Sequence, residues 1–184
     1  MPPHAPAALW TMAAEEKITV FGTSAKFLAL SEKAGMRPIA SHDLTSLRAI
    51  LSTGSPLAPS SFDYVYRDVQ ANLMLASISG GTDIISCFAL GNPTLPVWRG
   101  ELQCRGLRVA VAVFDDSGRP IVGSAGARVV NRPLHILPLS FWKTTERVDY
   151  QRAYLVGHTT DGIRSICAAD TADSGHDTQS SRPW

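Results

Sequence analysis

Apolar positions in the first half of the chain alternate between short β-prone runs and stretches with helical spacing. "KITVF" (residues 17–21) is a β-branched run that ends at Gly22 and predicts a strand. "SAKFLALSEKAG" follows with helical character and stops at Gly35, a residue suited to a helix C-cap. "SHDLTSL" offers Ser41 or Asp43 as the N-cap of a brief helix, and "RAILSTGSP" predicts a strand running into a turn. In "PSSFDYVYRDVQ", Phe62, Val65, Tyr66 and Val69 fall at i, i+3, i+4 and i+7 and share one helical face. "NLMLASI" is a continuous apolar run ahead of a glycine pair, the pattern of a strand buried on both faces. Strands alternating with helices imply βαβ crossovers and a parallel sheet, hence an α/β fold.

From about Ile84 the pattern changes. "IISCFAL", "PVWRGELQC", "RVAVAVFDDSGRPIV" and "ARVV" are β-prone runs with no helical stretch between them. "DDSG" predicts a hairpin turn, because Asp and Gly tolerate the positive φ angles such turns need. The α/β part is therefore expected to reach residue 83 and to give way to a β-rich part. After Tyr154, large apolar residues become sparse and no period is sustained, so residues 155–184 are expected to form a disordered tail.

Composition narrows the function classes. The 184 residues are 45% hydrophobic and 18% charged with a net charge of +1, and no Lys/Arg run marks a nucleic-acid partner. No apolar stretch approaches the roughly 20 residues that cross a bilayer, and the N-terminus lacks the pattern of a signal peptide. Cys87, Cys104 and Cys167 are odd in number and lack paired metal spacing, which favours a reduced, cytosolic protein. His4, His42, His135, His158 and His176 are scattered without ligand spacing and read as surface or structural residues.

Candidate chemistry gathers at the ends of the three expected parallel strands. They run into "FGTSAK", "STGSP" and "SGGTD", loops of glycines and hydroxyls. If the strands are neighbours, these loops face one crevice at the carboxyl edge, where such sheets bind ligands. Small side chains let backbone amides approach a ligand, and Thr82 with Asp83 offers a hydroxyl for a phosphate and a hard oxygen for Mg²⁺. The same residues also suit ordinary turns, and both readings stand on residue chemistry alone.

"ITVFGTSAKFLAL", "ILSTGSPL", "SISGGTDIISCF" and "LPVWRGELQCRGLRVAV", in this order, resemble the acetoacetyl-CoA synthetase family of adenylate-forming enzymes over about residues 9–154. The resemblance implies part of an adenylate-forming N-terminal domain in residues 1–154, with 155–184 unrelated to the family. It implies activation of acetoacetate by ATP and Mg²⁺ to an acyl-adenylate, then transfer to CoA. By position, Gly54, Ser55 and Pro56 would flank the adenine, Thr82 would bind a phosphate oxygen, and Asp83 would take the Mg²⁺-linked acidic role. Ser79, Gly80 and Gly81 would leave room for the acyl group where acetyl-CoA synthetases place tryptophans. Gly22, Thr23 and Ser24 would border the acyl and CoA channel. The family's phosphate loop, its ribose-binding aspartate and its catalytic lysine have no counterpart here, and "GSAGAR" departs from the family pattern at Ala127 and Arg128. The expectation is an internal, inactive piece joined to an unrelated tail, as a frame shift or retained intron would produce. The alternatives are a non-catalytic remnant or a small α/β partner-binding module.

Overall fold

Burial of the aromatic N-terminal residues organises the first part of the chain. The computed structural model describes residues 5–82, 84–115, 117, 119–122, 127–130, 140 and 166–167. Helix α1 (Ala5–Glu15), which the sequence pattern does not announce, buries Trp10 completely. Trp10 packs on Phe21 and Phe27 with ring centroids 5.2 and 5.4 Å apart. The amides of Glu16, Lys17 and Ile18 turn back onto α1 carbonyls, and Lys17 takes a left-handed φ of 49°. This helix end uses up the residues expected to open the first strand. Strand β1 therefore runs Val20–Ser24, three residues later than the pattern predicts.

Strands β1, β2 (Ala49–Thr53) and β3 (Met74–Ser77) form a parallel sheet in the order β1-β2-β3. Helix α2 (Ala25–Lys33) joins β1 toward β2, and Gly35 beyond it adopts φ 66°. Helix α3 (Pro38–Ser41) lies before the position expected for a brief helix. Asp43 instead accepts from the backbone and hydroxyl of Thr45, holding a turn where the pattern suggested an N-cap. Helix α4 (Pro59–Tyr64) continues into a π-helical turn (Val65–Val69) and leads to β3.

One face of the sheet carries Phe21, Ile50 and Leu75, which pack with Trp10, Leu28, Leu47, Phe62, Val65 and Val69 in a single buried cluster. Three of the four positions on the helical face read from sequence are buried, and Tyr66 is half-buried. Tyr64, outside that pattern, is also buried. Residues 90–103 belong to the same unit as residues 1–79. Residues 91–103 form no strand, although "PVWRGEL" looked β-prone. The Gln103 side chain organises them: its Nε2 donates to the carbonyls of Asn92 and Leu95 at 3.1 Å, and its Oε1 accepts from the Asn92 amide. Arg99 forks onto Asp63 of α4 with two 2.8 Å bonds.

Residues 80–89 and 104–184 make up a second unit, built from strands. β4 (Ser79–Gly81), β5 (Ser86–Leu90) and β6 (Cys104–Arg105) form one sheet in that order. A second sheet contains β7 (Val111–Phe114), β8 (Pro120–Ile121), β9 (Ala127–Val130) and β10 (Ile166–Cys167) in the order β10-β9-β7-β8. β7 and β8 form the expected antiparallel hairpin, with Val113 opposite Ile121. Asp115 holds its turn by accepting from the amides of Ser117 and Arg119 at 2.9 Å. β10 falls inside the stretch expected to be a tail and pairs with β9, Ile166 opposite Val130.

Candidate functional site

Parallel register puts hydroxyl residues side by side at the carboxyl edge of the first sheet. Thr23 pairs with Ser52, and Ser52 pairs with Ser77, so the three occupy one row across the sheet. They lie two residues beyond Phe21, Ile50 and Leu75 and thus project to the same face. Ser52 is fully buried and its Oγ has no hydrogen-bond partner among the described residues; Ser77 is buried and Thr23 half-buried. Sequence reading singled out Thr23 but not Ser52 or Ser77, whose signal was the hydroxyl that closes each apolar run.

The three connections leaving this edge differ in character. Ser24 caps α2, accepting from the Phe27 amide at 3.1 Å, so its hydroxyl already has a structural task. Gly22 has open space where a Cβ would sit. After β2 the chain turns at Gly54, whose φ of 84° strains any residue with a side chain. Gly54, Ser55 and Pro56 are all exposed. β3 leads on through Ile78, whose amide donates to the Ser52 carbonyl at 2.8 Å.

"SGGTD" was expected to be a loop, but Ser79–Gly81 is strand β4. The glycine pair hid this, because strand propensity resides in side chains that glycine lacks. A Cβ on Gly80 would collide with the Ser86 carbonyl oxygen and approach Cys87 Sγ to 3.0 Å. The small residue at Gly80 is thus required by the adjacent strand, and the space beside its Cα is filled by protein rather than open. Gly81 has nothing within 4 Å of a built Cβ. Burial pushes the Cys87 thiol above its ordinary range and keeps it protonated.

Thr82 is exposed, and its carbonyl accepts from the Ile85 amide at 3.2 Å, closing a turn. Ile85 takes a φ of 47°, a rare state for a β-branched residue, and is 90% exposed. Asp83, the expected Mg²⁺-linked carboxylate, lies outside the described residues. Among the described residues, no group of three His, Cys, Asp or Glu could hold a metal. Of the histidines, His42 is held by Thr11 on Nε2 and Ser41 on Nδ1, a structural arrangement. No described helix is long and apolar enough to cross a membrane.

The chain is 49% identical over 146 residues to the acetoacetyl-coenzyme A synthetase of Rhizobium meliloti, covering 79% of this chain. It is 44% identical over 149 residues to the acetoacetyl-CoA synthetase of Gallus gallus, covering 81%. By sequence, the chain is a homologue of the acetoacetyl-CoA synthetases. It spans 22% of the length of each of these two relatives. The solved acetoacetyl-CoA synthetase from Streptomyces lividans superposes with a TM-score of 0.78 at 36% identity, covering 88% of this chain and 25% of that one. An anthranilate CoA ligase solved with anthranoyl-AMP shares the fold, with a TM-score of 0.71 at 17% identity over 91% of this chain and 30% of its own. No family model matches. The α/β architecture with a three-stranded parallel sheet is thus a partial segment of the adenylate-forming enzyme fold.

Proposed function

We propose that this chain carries part of an acetoacetate-activating site. In the proposed reaction, an acetoacetate oxygen attacks the α-phosphorus of ATP and pyrophosphate leaves. The CoA thiol then displaces AMP to give acetoacetyl-CoA. Gly54, Ser55 and Pro56 flank the adenine, and Thr82 donates its hydroxyl to a phosphate oxygen. Asp83 would take the Mg²⁺-linked acidic role, as a hard oxygen ligand beside those that phosphate and water would supply. When bound, Mg²⁺ neutralises phosphate charge. Gly22, Thr23 and Ser24, with Ser79 and Gly81, border the acyl and CoA channel, and Gly80 serves it through the position of β4. Residues 1–154 are assigned to the family domain, and the sequence of 155–184 is taken to depart from the family although β10 pairs with β9.

The observation that carries this reading is the register row Thr23–Ser52–Ser77. It brings two of the candidate loops to one carboxyl edge, in a chain with up to 49% identity to acetoacetyl-CoA synthetases. Neutralising ATP takes several groups acting together, so the proposal for this chain is binding, with pyrophosphate exchange below detection. A non-hydrolysable acetoacetyl-adenylate analogue, titrated against thermal unfolding, tests it. Stabilisation that Thr82→Val and Asp83→Asn each reduce is the expected result. An analogue that leaves the wild-type transition unmoved would overturn the reading.

A further inference from the structure

A second polar site lies in the first unit at the opposite end of its parallel sheet. α2 starts at the carboxyl end of β1 and its far end leads toward β2, while the π-helical turn precedes β3, so both reach the amino edge. There Glu32, Gly35, Met36, Arg37, Tyr64, Arg67 and Asp68 line a cavity of about 330 Å³.

Asp68, one of the lining residues, is buried. Arg37 Nε donates to its Oδ1 at 3.0 Å, and Arg67 donates to its Oδ2 from both Nε and Nη2 at 2.7 Å. Hydrogen bonds from Arg67 first, and from Arg37, hold this carboxyl below its ordinary range, so it stays ionised and saturated with donors. The Glu32 carboxylate stands 3.7 Å from Arg67 Nη2. Beside that carboxylate, which is too far for a hydrogen bond, donor capacity also remains unspent: both terminal nitrogens of Arg37 and Nη1 of Arg67 have no partner among the described residues. Both guanidiniums remain more than half exposed although one carboxylate fixes their orientation. Tyr64 adds a buried hydroxyl that lies near Ser31 yet makes no hydrogen bond of acceptable geometry. The wall includes a π-helical turn, an irregularity that recurs at functional sites.

Asp68 is saturated while the terminal nitrogens of Arg37 and Nη1 of Arg67 are not, and free guanidinium donors of this kind select an acceptor. Two guanidiniums oriented in advance by a shared carboxylate match the oxygens of an oxyanion and lose little freedom on binding. We infer that the Arg37–Arg67 cavity is an oxyanion-binding site, of phosphate or carboxylate class, separate from the carboxyl-edge site and independent of the function proposed for it.

The test titrates the whole chain with inorganic phosphate at constant ionic strength and follows the Nε–H resonances of Arg37 and Arg67. A second titration uses acetate, and a third uses chloride. Saturable shifts at both arginines with phosphate, acetate or both support the site, and the tighter of the two assigns the class. Arg37→Gln is expected to weaken binding about tenfold, and Arg67→Lys, which keeps charge but loses the planar fork, by a similar factor. Shifts matched by chloride, or affinity unchanged in both variants, would overturn the inference. Should either variant fail to fold, the response of the two wild-type resonances decides the matter by itself.

Discussion

The two units of this chain bury their apolar residues by different means. In the first, helices lay large side chains on a parallel sheet, and Trp10, Phe62, Leu28 and Leu75 are almost or wholly inaccessible. In the second, the described residues form strands of two to five residues, and those buried among them and their turns are Ile84, Phe88, Val109, Val111, Val113 and Val130. A helix-covered sheet can be read locally, because helix and strand periods alternate along the chain. A unit of short strands depends on pairings between distant residues, such as Val111 with Val130, which no local period records.

Substitutions can break that contrast. The largest effect is expected at Phe62→Ala, which empties the centre of the helix-covered core and should cost about 3–5 kcal/mol in denaturant unfolding. Val113→Ala in the strand unit should cost about 1–2 kcal/mol. Equal losses would show that the two units share one cooperative core of similar density.

Glycine substitutions sharpen the comparison at the candidate loops. Gly80→Ala should destabilise by about 1–3 kcal/mol, because its Cβ meets the backbone of β5. Gly54→Ala should cost about 1–2 kcal/mol through its positive φ alone, since nothing crowds that position. Gly22→Ala meets neither obstacle, and a change near zero is expected. Thermal unfolding of the three variants checks the order.

Acid titration separates Asp68 from the surface carboxylates. Its folded pKa is depressed by Arg67 and Arg37, so the stability it contributes is present above its unfolded value near 3.9. That contribution is lost as pH falls through the lower folded value. Asp68→Asn should therefore be less stable than wild type at neutral pH, with the difference closing below about pH 4. A gap that persists unchanged at pH 2 would show that packing, rather than charge, holds Asp68. The exposed Asp63–Arg99 pair should give a small coupling, erased by salt in a double-mutant cycle.

The parallel sheet, the β2 and β3 runs and the β7–β8 hairpin were legible because apolar runs and turn residues mark them directly. Helix α1 was not, since alanines and prolines around Trp10 leave no clean period. The π-helical turn depends on how Tyr64 and Asp68 pack, and one helical wheel cannot show it. "PVWRGEL" has strand-like residues, yet Pro93 and Pro96 remove ladder donors and Gln103 binds the carbonyls instead. At the candidate site, Gly54 and Gly80 looked alike in sequence but differ in cause. One serves a turn's φ and the other the approach of a neighbouring strand. Ser52 was not singled out because a serine that closes an apolar run reads as the start of the following turn until register places it beside Thr23 and Ser77.

The central proposal, which rests on the resemblance, is that residues 54–56 and residues 82–83 each contact the nucleotide. Amide NMR of the chain titrated with a non-hydrolysable acetoacetyl-adenylate analogue tests this most directly. The account predicts saturable shifts at Gly54, Ser55, Thr82 and Asp83 with a single dissociation constant. Shifts confined to one of the two segments, or following two different constants, would contradict it.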